Sequence, residues 1–225
     1  MHTTEHTSQR AYLPAAGRDW LLPVYDILTR LFGVRKVHRN LIAQANLTPA
    51  QRILEIGCGT GNLLLQARKL HPGVEGVGID PDPRALALSR RKAGRRKADI
   101  QFDQGFAEEL PYPDGSFDRV LSAFMLHHVP SDAKLPAIQE ARRVLKPGGS
   151  LHLVDFEQRG EHQHGAAGLH GLIASTVHSR HGSSSRDLVL DLMSSAGFED
   201  VKLIARDSSI MGPVVYYRAA RAAGQ

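Results

Sequence analysis

The chain has 225 residues, of which 42% are hydrophobic and 23% charged, with a formal net charge of +5; that suffices for one sizeable α/β core and leaves little for a second domain. No apolar stretch approaches the ~20 residues of a membrane helix, the polar residues 1–10 lack the apolar segment of a secretory signal, and the lone cysteine, Cys58, excludes an internal disulfide and fits a cytoplasmic location. The charge is uneven: residues 1–100 carry 16 Lys/Arg against 8 Asp/Glu, and much of the excess lies in a basic run at 90–97. Its reading as a nucleic-acid patch is the weaker one. No aromatic residues interleave to stack on bases, and cations suit the negative end of a helix.

In chain order, residues 1–17 read as a loose leader. Residues 19–31 form an amphipathic pattern with Trp20, Val24, Ile27, Leu28 and Leu31 near helical spacing, and 37–45 a second helix. A first strand is expected at 52–56. Strand and helix patterns then alternate: strand 74–79, helix 83–92, a short strand 100–102, strand 117–122, helix 133–145, strand 150–156. The Lys146-Pro147-Gly148-Gly149 run stops the last of these helices. Such alternation predicts a parallel sheet with helices on both faces. A helix at 187–195 precedes two strands, 201–205 and 214–218, too close together for a crossover. They should pair as an antiparallel hairpin.

The most informative stretch is Ile53-Leu54-Glu55-Ile56-Gly57-Cys58-Gly59-Thr60-Gly61. A buried strand feeding a glycine turn and then a helix brings backbone close to a ligand, since only glycine has no side chain to block the approach. The dinucleotide fingerprint is G-x-G-x-x-G, and here the third glycine comes one residue early. Glu55 before the glycines suits a cationic amine better than a pyrophosphate. Asp80, closing the second strand, can accept both hydroxyls of a ribose. A ligand with a ribose and a positive group but no phosphates fits S-adenosylmethionine.

With Val77-Gly78-Ile79-Asp80, the run Leu110 to Asp118, Leu126-His127-His128-Val129 and Arg143 to Gly149, the chain resembles the class I S-adenosylmethionine-dependent methyltransferases of small-molecule type. The helical segment before Glu55, with Tyr25 and Asp26, is similar to the ubiquinone/menaquinone C-methyltransferase group. The resemblance implies a Rossmann-like, doubly wound α/β fold: a seven-stranded, mostly parallel sheet with a C-terminal antiparallel hairpin and N-terminal entrance helices. It implies a single domain over 18–225, with 157–185 as a substrate-side insertion or lid.

The residues it points to for the cofactor are Tyr25, Glu55, Gly57, Cys58, Gly59, Gly61, Asp80, Pro81, Gly105, Phe106, Ala107 and Ser122. Asp82 reads instead as a helix cap before Pro83. Where the family has an acidic residue bonded to the adenine amine, this chain has Phe106, which cannot accept a hydrogen bond. Phe106 should pack on adenine, with Glu108 as the other candidate for the amine. His127 and His128 follow the fourth strand, where ligands of open α/β sheets bind, and one of them is the candidate general base. Five histidines between His162 and His181 lack the tight spacing of a metal site, and none is expected.

The expected reaction is methyl transfer to a small acceptor, with a quinone-like or otherwise apolar one favoured. A nucleic-acid methyltransferase using residues 90–97 and a non-catalytic cofactor-binding protein stand as alternatives. The acceptor atom and the oligomeric state are left open.

Overall fold

The computed structural model describes residues 33–157, 185–209 and 212–224. The expected leader, the helix at 19–31, Tyr25, the His-rich segment and nearly all of the expected lid lie outside them. The elements are α1 (Val34–Ala45), β1 (Arg52–Ile56), α2 (Asn62–Leu70), β2 (Glu75–Asp80), α3 (Pro83–Arg95), β3 (Ile100–Gln104), β4 (Phe117–Ala123), a single 3₁₀ turn (Leu126–His128), α4 (Ser131–Val144), β5 (Leu145–Phe156), α5 (Ser185–Ser195), β6 (Glu199–Ser209) and β7 (Gly212–Ala220). They form one seven-stranded sheet in the order β3-β2-β1-β4-β5-β7-β6. The first five strands run parallel, and β7 is antiparallel to both neighbours. The fold expected from strand–helix alternation and the short final connection is the one present.

Strand β1 lies at the centre, and its alternation divides the core in two. Leu54 and Ile56 point into one cluster, with Val77, Val120, Ile138 and Val144. Ile53 points into the other, with Leu41, Leu63, Leu64, Leu86 and Tyr216. Both faces are therefore covered, which is why this strand reads as a nearly continuous apolar run. Helix α1 buries Val37, Leu41, Ile42 and Ala45 at helical spacing against the second cluster. Truncating any of these leucines to Ala should cost about 2–5 kcal/mol.

Two of the recognisable motifs serve as staples. Arg143 donates to Glu140 (2.6 Å), Asp114 (2.7 Å) and the carbonyls of Tyr112 (2.8 Å) and Leu110 (3.0 Å). Glu140 closes the set by accepting from the Leu110 amide at 2.8 Å. Lys146 pairs with Asp118 at 2.9 Å, and Asp118 accepts from the first amide of β1, Arg52, at 2.8 Å. Residues 110–118 and 143–146 are thus tied to one another and to the start of the central strand. Strand β5 begins earlier than the expected residue 150. Phe117 pairs with Leu145, Arg119 pairs with Ser150, and the extra residues between them bulge out at Gly148, whose φ is 77°.

The core also holds histidines away from the site. His152, on β5, is 1% exposed; its Nε2 lies 3.0 Å from Ser150 Oγ, its Nδ1 is unpartnered, and burial pushes its pKa down to about 3. A histidine whose folded pKa is depressed contributes stability above its unfolded value near 6.5, and that contribution is lost as pH falls toward the folded value. Relative to a His152→Gln variant, the wild-type chain is therefore expected to lose about 2 kcal/mol of unfolding free energy between pH 7 and pH 4.5. Urea denaturation of both proteins across that range measures the difference. A constant gap would contradict the assignment.

Candidate functional site

The site forms at the carboxyl ends of β1, β2, β4 and β5, on either side of the point where the strand order reverses. Its centre is the turn leaving β1. Gly57, Gly59 and Gly61 have φ values of 72°, 49° and 75°, all in the left-handed region. A Cβ on Gly57 would run into the Met125 side chain, coming within 2.7 Å of its Cβ. A Cβ on Gly59 would meet nothing within 4 Å. The two glycines are thus needed for different reasons: the first packs under Met125, and the second opens onto free space where a bound molecule can approach the backbone.

Asp80, at the end of β2, holds this turn in place. Its Oδ2 accepts from the Gly59 amide at 2.8 Å, and its Oδ1 accepts from the Asp82 amide at 3.0 Å. Burial raises the Asp80 pKa, and these two amides pull it back down. Asp82 caps α3 by accepting from Arg84 N at 2.8 Å, the role its place before Pro83 implies. The Gly57 and Cys58 amides both donate to Ile79 O, at 2.9 and 3.0 Å, so the turn is laced to β2 along its length.

Glu55 is 3% exposed and accepts from Leu64 N at 3.3 Å. Gly61, the N-cap residue of α2, has no side chain to offer the first turn. Glu55 supplies that acceptor from the adjacent strand. Burial drives its pKa well above the ordinary carboxylate value, with the Leu64 hydrogen bond opposing and Asp80 adding to the rise.

Lys92 reaches across from α3 to Thr60 Oγ1 (2.9 Å) and Asn62 Oδ1 (2.8 Å), and Arg90 donates to Phe102 O at 2.5 Å. Two members of the basic run at 90–97 are therefore bonded back to the fold, Lys92 half-buried and Arg90 exposed.

After β3, the Gly105 amide donates to the Asp80 carbonyl at 3.2 Å, and Phe106 and Ala107, which follow it, are half-buried. Pro81 O accepts from Gln104 Nε2 at 3.1 Å. Three of the residues named from the sequence, Glu55, Ser122 and Cys58, have buried side chains. Ser122 is 2% exposed with its hydroxyl donated to Ile56 O at 3.2 Å, and Cys58 is 4% exposed with its thiol pKa raised by burial.

On the other side of the turn lie the two histidines. His127 Nδ1 sits 2.6 Å from Asp155 Oδ1, and its backbone amide donates to Asp155 Oδ2 at 3.1 Å. Asp155, at the end of β5, is 5% exposed. The His128 ring packs 3.9 Å from that of His127, and burial lowers its pKa to about 4, so it is a poor base at neutral pH. The pair of candidate bases thus resolves into His127, oriented by a carboxylate, and His128, its packing neighbour.

A cleft beside His127 is lined by Asp155, Phe156, Leu188, Val189 and Leu192. Phe124, just before this segment, has φ 57° and packs its ring 4.8 Å from Phe156. A bulky side chain held in the left-handed region is a strained arrangement, of the kind that gathers at functional sites.

Sequence reasoning missed Asp155, Phe124 and Phe156. The available signal was an acidic residue closing β5, as Asp80 closes β2. No group of three or more potential metal ligands occurs among the described residues, and no helix among them is long and apolar enough to cross a membrane.

Residues 53–149 match a family model described as a methyltransferase domain. The demethylmenaquinone methyltransferase of Deinococcus radiodurans is 37% identical over 139 residues, 60% of this chain and 57% of that protein. The protein of the same name from Thermus thermophilus is 40% identical over 139 residues, 60% of this chain and 62% of that protein. The match therefore spans about three fifths of either relative. Among solved structures, phosphoethanolamine N-methyltransferase 2 of Haemonchus contortus superposes with a TM-score of 0.74 at 15% identity, covering 92% of this chain and 58% of that one. It shares the fold.

The glycine geometry separates two effects. Gly57→Ala adds a steric clash to the left-handed strain and is expected to lower stability by about 2–4 kcal/mol, whereas Gly59→Ala carries the strain alone, about 1–2 kcal/mol. Parallel urea titrations test the order; equal losses would contradict the packing described.

Proposed function

We propose, from the match of residues 53–149 to a methyltransferase-domain model, that this chain transfers a methyl group from S-adenosylmethionine to an apolar, quinol-like small molecule. The observation that carries the reading is the paired arrangement at the sheet's carboxyl edge: an open glycine turn fastened to Asp80 on one side, and the Asp155–His127 pair on the other.

The residues present fit the cofactor. Gly59 leaves space where a Cβ would stand. Asp80 uses each carboxylate oxygen once, which leaves lone pairs for ribose hydroxyls. The backbone of 57–61 would hold the methionine portion, with Glu55 and the first turn of α2 beneath it. Phe106 and Ala107 would face the adenine, where the apolar ring replaces a hydrogen bond with stacking contact. When bound, the cofactor supplies a methyl group already activated by the sulfonium charge, so the demands on the protein are alignment and exclusion of water.

The acceptor side is read from the cleft at His127. Phe156, Leu188, Val189 and Leu192 give it an apolar wall beside the charged Lys134 and Asp155. At about 20 Å³ it marks the edge of an acceptor site rather than a ring-sized pocket, and the apolar acceptor is inferred from that wall together with the relatives. With Nδ1–H donated to Asp155, the imidazole presents Nε2 as the acceptor of a proton. His127 takes the hydroxyl proton of the ring. The ring carbon then gains the nucleophilic character needed for in-line attack, with a neutral thioether leaving from the sulfonium. The proton displaced from that carbon would pass to solvent and restore the aromatic ring, and Asp155 balances the imidazolium that forms. The names of the 37–40% identical relatives agree with such an acceptor.

Asp80→Ala is expected to weaken S-adenosylhomocysteine binding at least tenfold by calorimetry, about 1.4 kcal/mol or more. Gly59→Ala is expected to do the same while remaining folded. With radiolabelled S-adenosylmethionine and a short-chain demethylmenaquinol, His127→Ala should lower kcat by about 10²–10⁴ without changing cofactor affinity. Asp155→Asn should lower it as well. Undiminished turnover in the His127 variant would remove the base assignment. Label appearing in RNA instead of the quinol would remove the acceptor assignment.

A further inference from the structure

A second cleft, about 620 Å³ in volume, lies on the outer side of helices α1, α2 and α3, away from the His127 cleft. Five cationic side chains line it: Arg35 from α1, Arg68 and Lys69 from the last turn of α2, and Arg96 and Lys97 just beyond α3. His38, 7% exposed, is set into its wall. No carboxylate is among the residues that line it. Arg68 is committed locally, donating to the carbonyls of Pro72 and of Val74, the latter at 2.5 Å. Arg35, Lys69, Arg96 and Lys97 are exposed.

Helix ends account for part of this charge. The carboxyl termini of α2 and α3 both point here, each equivalent to about half a negative charge, and they attract cations. They do not account for all of it. Two half-charges are outnumbered by the cations present, and Arg35 stands near the opposite end of its helix, in a first turn without an acidic residue. Lys97 adds a second oddity. It occupies the left-handed position that ends α3, with φ 51°, while Ala98 N bonds to Ala93 O at 3.0 Å. Glycine is the usual residue there, and a side chain costs about 1–2 kcal/mol. Here a lysine is kept at that position, on the rim of a positive cleft.

We propose that this cleft is a binding site for a small anion carrying two or more phosphate groups. Its volume lies in the range of small-molecule sites. Its cations come from three separate helices around a concavity, a geometry that closes on a compact multivalent anion. A planar lipid surface would touch the rim and leave the His38 wall unreached. No aromatic side chain lines the cleft to stack a base, which disfavours a nucleic-acid strand. Within the basic run, Arg90 and Lys92 bond back to the fold, Arg91 and Arg95 are exposed outside the cleft, and Arg96 and Lys97 line it.

The full chain is titrated with inorganic tripolyphosphate by calorimetry at low salt, with the His38 ring resonances followed by NMR. The expected result is saturable binding that weakens with added salt, accompanied by a shift of His38. The double variant Arg96→Gln/Lys97→Gln changes two exposed residues, so its urea melt and its S-adenosylhomocysteine affinity should match wild type. It should bind tripolyphosphate at least about tenfold more weakly. Absence of binding, equal affinity in the double variant, or an unmoved His38 overturns the site. Single-stranded RNA, and vesicles of equal parts phosphatidylglycerol and phosphatidylcholine, are run alongside. Tighter, variant-sensitive binding of either overturns the assignment to a small ligand.

Discussion

Two amide hydrogen bonds, from Gly59 and Asp82 to the two oxygens of Asp80, hold the site together. The glycine turn has three residues in the left-handed region; Ile79 O fixes its start, and the Asp80 carboxylate fixes its middle at Gly59. One carboxylate fixes the turn, starts the approach to α3 and remains able to accept further hydrogen bonds at its open side. It is half-buried at the end of a strand that is otherwise fully apolar along its inner residues. The pull of the amides against the cost of burial keeps such a carboxylate usable as an acceptor.

The rest of the site is assembled by strand ends. Parallel strands β1, β2, β4 and β5 deliver Glu55, Asp80, the Phe124–His127 segment and Asp155 to one edge of the sheet. Polar groups gather there because backbone and side chains at that edge are not committed to the ladder. The same logic explains the opposite duties of the motifs. Arg143, Glu140, Lys146 and Asp118 act away from the chemistry, locking the loop at 110–114 and the bulge after Leu145 to the central strand. Their ion pairs are partly exposed and individually worth little. Their value lies in the backbone carbonyls and amides they satisfy.

Some contacts are dictated by crowding and others by openness, and the glycines illustrate the difference. Gly57 is occluded by Met125, Gly59 faces free space, and both share one conformational class. Likewise, members of the basic run at 90–97 differ in what they meet: Arg90 and Lys92 bond back to the fold, while Arg96 and Lys97 line a cleft. Composition alone treats these residues as equivalent.

Whatever depends on short-range periodicity was legible in the amino-acid order. The apolar run ending at Ile56, the glycines after it, the Asp80 strand end, the Pro83 helix start and the close final strands determined the layered fold and the glycine turn at its carboxyl edge. Each is a signal carried within a few residues, by side-chain period, by φ restriction or by the absence of a Cβ. What lies through space was decided only by the tertiary structure. Asp155 meets His127 because β4 and β5 run side by side in parallel. Ser122 was named for the site, but the pleat turns its hydroxyl down to Ile56. Glu55 caps α2 because Gly61 offers no side chain of its own. Local sequence records which conformation a segment can adopt; which groups then face one another is set by register and pleat direction, which no single segment contains.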